Sequence, residues 1–237
     1  AYDCYEPTIE LNGGRPVFVQ LKSPDFKINW EEVKKLISQR TKMIIINTPH
    51  NPTGTILEEN DLKELEKITQ DSDIIILSDE VYEHIIFDQK KHQSICKYPA
   101  LSDRSIAVFS FGKTFHVTGW KMGYCIGPEN LMHEFRKVHQ FNVFSCHHPF
   151  QLALAEYLEN EEHFLKLGEF YQQKRDYFTE IIKASRISIV PSFGTYFQLL
   201  NFSKISEESD VSMAKKLIKE YKLASIPISV FYNSTLD

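Results

Sequence analysis

Apolar residues along the chain alternate between short unbroken runs and stretches in which they recur at helical spacing. Strands buried on both faces and one-sided helices read this way. The runs at 43–46, 74–77 and 106–109 predict buried strands, and those at 16–21 and 122–126 predict two more. Between them, 30–39 carries Val33, Leu36 and Ile37 on one helical face, and 58–70 carries Leu62, Leu65 and Ile68. Strand and helix in alternation build an α/β fold, a mostly parallel sheet flanked by helices. From residue 129 the pattern turns to long helical stretches at 129–140, 149–159 and 162–184. Short strands at 187–190 and 196–200, an amphipathic helix at 211–221 and a last strand at 226–231 follow. This predicts a large domain over residues 1–165 and a smaller C-terminal α/β domain over 166–237, joined by the long helix.

In a parallel α/β sheet, ligands bind beyond the carboxyl ends of the strands, so the residues after each apolar run are where chemistry is expected. The run at 43–46 leads into NTPHNPTG, a turn-rich loop in which two prolines flank the His50-Asn51 pair. The run at 74–77 leads into SDEVYE, which sets the Asp79 carboxylate at a buried strand end with Tyr82 close behind. The run at 106–109 leads into SFGKTF, with Lys113 beside the small Gly112 in apolar surroundings. A carboxylate, an amide, a phenol and a primary amine at one sheet edge suit a cofactor with a basic ring nitrogen, a phenolic oxygen and an aldehyde. Pyridoxal phosphate has all three.

The rest of the composition narrows the partners. A net charge of -5 with both signs interspersed offers no basic stripe for nucleic acid and no polybasic block for a membrane surface, so small-molecule substrates are expected. No apolar stretch is long enough to span a bilayer. Cys4, Cys96, Cys125 and Cys146 show no paired spacing and read as reduced thiols, which suits the cytoplasm. The adjacent His147 and His148 diverge, with no further ligand at metal spacing, so no metal is expected. No G-x-G-x-x-G follows a strand, which argues against a dinucleotide.

NTPHNPTG, SDEVYE and SFGKTFHVTGWKMG, in this order and spacing, resemble the hallmark segments of the class I and II aminotransferases, the fold type I branch of pyridoxal-phosphate enzymes. AYDCYEP and HQFNVFSC are similar to the kynurenine and methionine aminotransferase branch in particular. The resemblance implies that Lys113 is the Schiff-base lysine, which holds the cofactor and moves a proton at the substrate Cα. Asp79 would pair with the ring nitrogen, an interaction worth roughly 4 kcal/mol or about three pKa units at contact distance. Asn51 and Tyr82 would donate to the ring's phenolate oxygen, Tyr2 would stack on the ring, and Ser110 and Lys121 would bind the phosphate. The wider family has arginine at the Lys121 position, so the lysine marks a subgroup. Asn51 would also contact substrate, and Phe144 would line the substrate pocket of the partner subunit in a homodimer.

The resemblance further implies that a glycine-rich phosphate segment precedes Ala1 and that a carboxylate-binding arginine follows Asp237. By that expectation the chain is truncated at both ends and inactive by itself. The expected reaction passes the amino group of an aromatic, sulfur-containing or similar L-amino acid to a 2-oxo acid. The rival readings are a cysteine-conjugate β-lyase and a non-catalytic, cofactor-binding sensor domain of a transcription regulator.

Overall fold

The computed structural model describes residues 2–232. A short helix, α1 (Tyr5–Leu11), opens the chain, and α2 (Trp30–Leu36) follows, capped by the Asn29 side chain accepting from the Glu32 amide at 3.2 Å. Next come β1 (Met43–Asn47), α3 (Glu59–Thr69) and β2 (Ile75–Asp79). A reciprocal cap starts α3: Glu58 accepts from the Asp61 amide while the Asp61 carboxylate accepts from the Glu58 amide. The same carboxylate accepts from the Trp30 indole at 2.8 Å, which ties α2 to α3. The chain continues through α4 (Pro99–Ser102), β3 (Ser105–Ser110), α5 (Phe111–Thr114) and β4 (Gly123–Ile126).

The strands lie in the order β1-β2-β3-β4, the first three parallel and β4 antiparallel. This is the mostly parallel α/β sheet that the alternation predicts. Its main core lies on the α3 side, where Leu62, Leu65, Ile76, Ile95 and Leu101 are fully buried among Ile46, Ala107 and Phe109. Along β2, Ile76 and Ser78 face this core while Leu77 and Asp79 face the other way, as a pleated strand requires.

Beyond the sheet lie α6 (Glu129–Asn142), α7 (His148–Leu158), α8 (Glu162–Leu165) and α9 (Leu167–Ile182). Then come β5 (Ser188–Ile189), β6 (Leu200–Asn201) and α10 (Asp210–Lys216). A second cluster, Tyr82, Ile85, Phe87 and Leu167, joins the end of β2 to the start of α9. Arg175 of α9 closes it: the guanidinium forks onto the Asp88 carboxylate at 2.7 and 2.8 Å, donates to the Ser192 carbonyl at 2.8 Å, and lies 4.8 Å from the Phe87 ring centre.

Several expected elements differ. Residues 16–21 form no regular element and pair with no strand among the described residues, and Val17 and Phe18 are exposed; β propensity without a neighbouring ladder does not make a strand. Where 226–231 predicts a strand, Ile228–Phe231 forms a 3₁₀ turn. There Asp210 takes both the Ser229 amide and hydroxyl at 2.7 Å, and Pro227 has no amide to offer a ladder. The strand expected at 196–200 shrinks to Leu200–Asn201, and the helix expected over 162–184 breaks at Lys166. At that break Gly168 presses on the Ile86 carbonyl, which a Cβ would approach to 2.8 Å.

Candidate active site

Strand register decides which side chains meet. Asn47 on β1 lies level with Asp79 on β2, and Asp79 with Val108 on β3, so β1 and β2 end level, β3 runs two residues further, and all three release their chains at one edge. Asn47 works in both directions there. Its amide nitrogen donates to the Asp79 carbonyl at 3.0 Å, and its carbonyl oxygen accepts from the Asn51 backbone at 2.8 Å. The loop that follows folds on itself, with His50 N–H donating to the Thr55 carbonyl at 2.8 Å and Gly54 N–H to the His50 carbonyl at 2.9 Å. The Asn51 side-chain amide has no hydrogen-bond partner among the described residues, which leaves it available to a ligand.

The Asp79 carboxylate accepts from the Tyr5 hydroxyl of α1 and, at 3.3 Å, from the Val81 amide. Burial raises its pKa, opposed by these two bonds and by the positive charge of Lys113. The carboxylate thus stands desolvated and under-partnered, ready to gain from a cation placed against it.

Lys113 sits in α5, in the first turn after β3. Gly112 before it lies so close to Thr118 that a Cβ would approach the Thr118 Cα to 3.0 Å, and this close approach fixes where the lysine leaves the sheet. Its ammonium donates to the Tyr196 hydroxyl at 3.2 Å and lies 5.8 Å from the ring centre of Tyr82 and 5.9 Å from that of Tyr196. Tyr82 is buried, meets Tyr196 edge to face at 5.3 Å, and donates to the Tyr196 hydroxyl at 3.4 Å. Burial, then the bond to Tyr196, pushes the Tyr82 phenol well above the usual range, so it stays a protonated donor.

Asn51, Asp79, Tyr82 and Lys113 therefore gather at one sheet edge. Ser110, the last residue of β3, lies opposite Gly123 of β4, and Lys121, in a left-handed conformation (φ 55°), precedes that strand on the same edge. Among the described residues the Lys121 ammonium forms no ion pair. Tyr2 is half-exposed and meets Tyr5 edge-on at 5.9 Å. Phe144 is not brought to this edge: it follows α6 with 82% of its surface exposed and φ 63°.

The pattern reading missed Tyr5 and Tyr196. Each is more than seventy residues from its partner, so no local periodicity could pair them. The available signal was chemical, since a tyrosine in an apolar segment needs a partner for its hydroxyl. Among the described residues no helix is long and apolar enough to cross a membrane, and no group of His, Cys, Asp and Glu could hold a metal ion.

A desolvated carboxylate, a primary amine, a buried phenol and an uncommitted amide at one edge form a donor set that fits a cationic aromatic ring bearing an aldehyde. Residues 1–235 match the family Aminotransferase class I and II, and the chain belongs to that family, whose members use pyridoxal phosphate. It is 46% identical to the methionine aminotransferase of Escherichia coli over 98% of this chain and 60% of that protein. It is 33% identical to kynurenine–oxoglutarate transaminase 1 of Rattus norvegicus over 98% of this chain and 62% of that one. A solved Escherichia coli structure described by its methionine aminotransferase function superposes with a TM-score of 0.98 at 44% identity, covering 100% of this chain and 63% of that one. The chain thus spans about three fifths of the length of these relatives.

Proposed function

We propose that the complete protein is a pyridoxal-phosphate-dependent aminotransferase that passes the amino group of an aromatic, sulfur-containing or similar L-amino acid to a 2-oxo acid. The observation that carries this reading is the meeting of Lys113 with Tyr82 and Tyr196 at the strand end that also bears Asp79. Similarity to methionine and kynurenine aminotransferases supports the substrate class.

Bound at this edge, pyridoxal phosphate supplies an aldehyde that condenses with amines and a cationic ring that draws electrons from the substrate Cα. The chain does the rest. Lys113 would hold the cofactor and would carry the proton to and from the substrate Cα. Asp79, oriented by Tyr5, opposes the ring nitrogen's charge and keeps its proton in place. Tyr82 and Asn51 donate to the phenolic oxygen, and Tyr2 covers a ring face. Ser110 offers its hydroxyl and Lys121 its unpaired charge to the phosphate. Asn51 also reaches the substrate.

Residues 1–165 form the cofactor-binding domain in this reading, and 166–237 belong to the smaller one. The partner is a second copy of the chain, whose pocket receives Phe144. The protein works in the cytoplasm, with neither nucleic acid nor membrane as a partner. An amino-donor screen on the complete protein, with the oxo-acid product identified, tests the reading. Turnover of methionine or aromatic donors is expected, and elimination products in place of an oxo acid paired with a new amino acid would refute it.

A further inference from the structure

Directly after Asp79, on the opposite face of the strand, lies a carboxylate the reaction does not use. Glu80 is fully buried at the margin of the α3-side core. Three groups converge on it: the Ser78 hydroxyl at 2.8 Å, the Ile95 amide at 2.9 Å and the His92 Nε2 at 2.6 Å. The His92 Nδ1 is buried without a partner, so the ring presents its proton through Nε2; a second N–H would have no acceptor. Burial, the largest influence, raises the Glu80 pKa, but the bond from His92, the charge of that ring when protonated, the Ile95 amide and the Ser94 hydroxyl together hold it below its usual value. The backbone is pinned at the same place, with Glu80 N–H donating to the Val108 carbonyl at 2.9 Å.

We propose that Glu80, with His92, is a positioning residue for the reaction: it fixes the strand end that carries Asp79 and sets a second negative charge behind that carboxylate. The added charge raises the proton affinity of the ring nitrogen that Asp79 faces and of the nitrogen that would link Lys113 to the cofactor, whose protonation the visible band reports. Its field already tells on its neighbours, since the Glu80 charge is among the influences raising Asp79 and Glu83. Other titratable groups around the pair are Tyr5 from α1, Lys113 from α5, Glu83 with Tyr124 from β4, His84, Cys96 next to Ile95, and Lys97, whose ammonium donates to the His92 carbonyl. None of them donates to Glu80.

This inference rests on the cofactor reading above, and its test separates the two. In the complete, cofactor-loaded protein, Glu80→Gln keeps an oxygen for Ser78 and Ile95, removes the charge, and turns an amide NH2 toward the His92 Nε2, which then accepts in the other ring tautomer. The pH midpoint of the cofactor's visible band should fall by about one unit, and cofactor affinity should fall with it. Glu80→Asp, which keeps the charge, should restore most of the midpoint. His92→Leu takes a donor from a fully buried carboxylate, drives it toward the protonated form, and should lower the midpoint in the same direction, so the test survives if one variant fails to fold. A folded, loaded Glu80→Gln or His92→Leu with an unmoved midpoint overturns the proposal. Borohydride reduction and peptide mapping that place the cofactor on a lysine other than Lys113 overturn the site reading and this inference together.

Discussion

α3 and α6 carry the same kind of pattern and meet opposite fates. Leu62 and Leu65 of α3 are fully buried against β2 and β3, whereas α6 buries none of its residues. Val138 at 68% and Phe141 at 87% stand exposed on α6, and Tyr124 and Ile126 are exposed on β4. An apolar stripe says which side of a helix wants cover; only the fold says whether the chain itself supplies it. The α3 side is closed within the chain and holds the strand ends rigid, while the β4 and α6 side is the kind of surface a second copy would cover under the proposed function.

The largest effects are expected at the strand ends that the closed side supports. Lys113→Ala should abolish the visible absorption of the loaded protein and lower turnover by at least about 10³-fold; retained absorption would move the cofactor elsewhere. Asp79→Ala should leave some cofactor bound yet lower turnover by on the order of 10³-fold, the equivalent of the roughly 4 kcal/mol assigned to its pairing. Equal activity in mutant and parent would remove Asp79 from the site.

Packing separates the two sides more directly. Leu65→Ala should destabilise the fold by about 3 kcal/mol in denaturant titrations, whereas Phe141→Ala should cost under about 0.5 kcal/mol in a monomer and instead weaken self-association measured by sedimentation. Similar losses at both positions would erase the contrast. Phe144→Ala should raise KM for aromatic and thioether donors several-fold more than for small ones. A mixed dimer of this variant with Lys113→Ala should keep one parent-like site if Phe144 serves its partner, and no such site if it does not.

The smallest effect is acid sensitivity in the Asn51 loop. Burial pulls the His50 imidazole down to about 3. A histidine lowered on folding disfavours the folded state once protonated. Its contribution to stability is therefore intact above the unfolded value, about 6.5, and shrinks as pH falls from there toward 3. His50→Gln should flatten that part of a stability-against-pH curve; an unchanged slope would mean that the imidazole is no more buried than an ordinary one.

How much the sequence discloses follows from how far apart the interacting parts are. β1, β2 and β3 were legible because their residues form unbroken apolar runs, one face buried and the other partly covered, and Asp79, Tyr82 and Lys113 because parallel strands deliver their ends to one edge. Residues 16–21 have a strand's composition without a partner, and 226–231 yield to one aspartate, Asp210, that no periodicity could place nearby. α1 gave no pattern of its own, since none of its residues is buried, and Tyr5 earns its position only through Asp79. Phe144 remains a matter of what covers α6, which lies beyond any single chain's periodicity.

One contact close to the chemistry binds two parts of the chain to a shared history. Gly54 has φ 72°, and a Cβ there would come within 2.1 Å of the Ser192 Oγ; the Gly54 carbonyl accepts from the Phe193 amide at 2.8 Å. The Asn51 loop and the segment leading to Tyr196 are thus interlocked like tongue and groove. A side chain gained at position 54 would push that segment outward and carry the Tyr196 hydroxyl off the Lys113 amine, so positions 54 and 192 are expected to drift together among descendants of this chain or not at all.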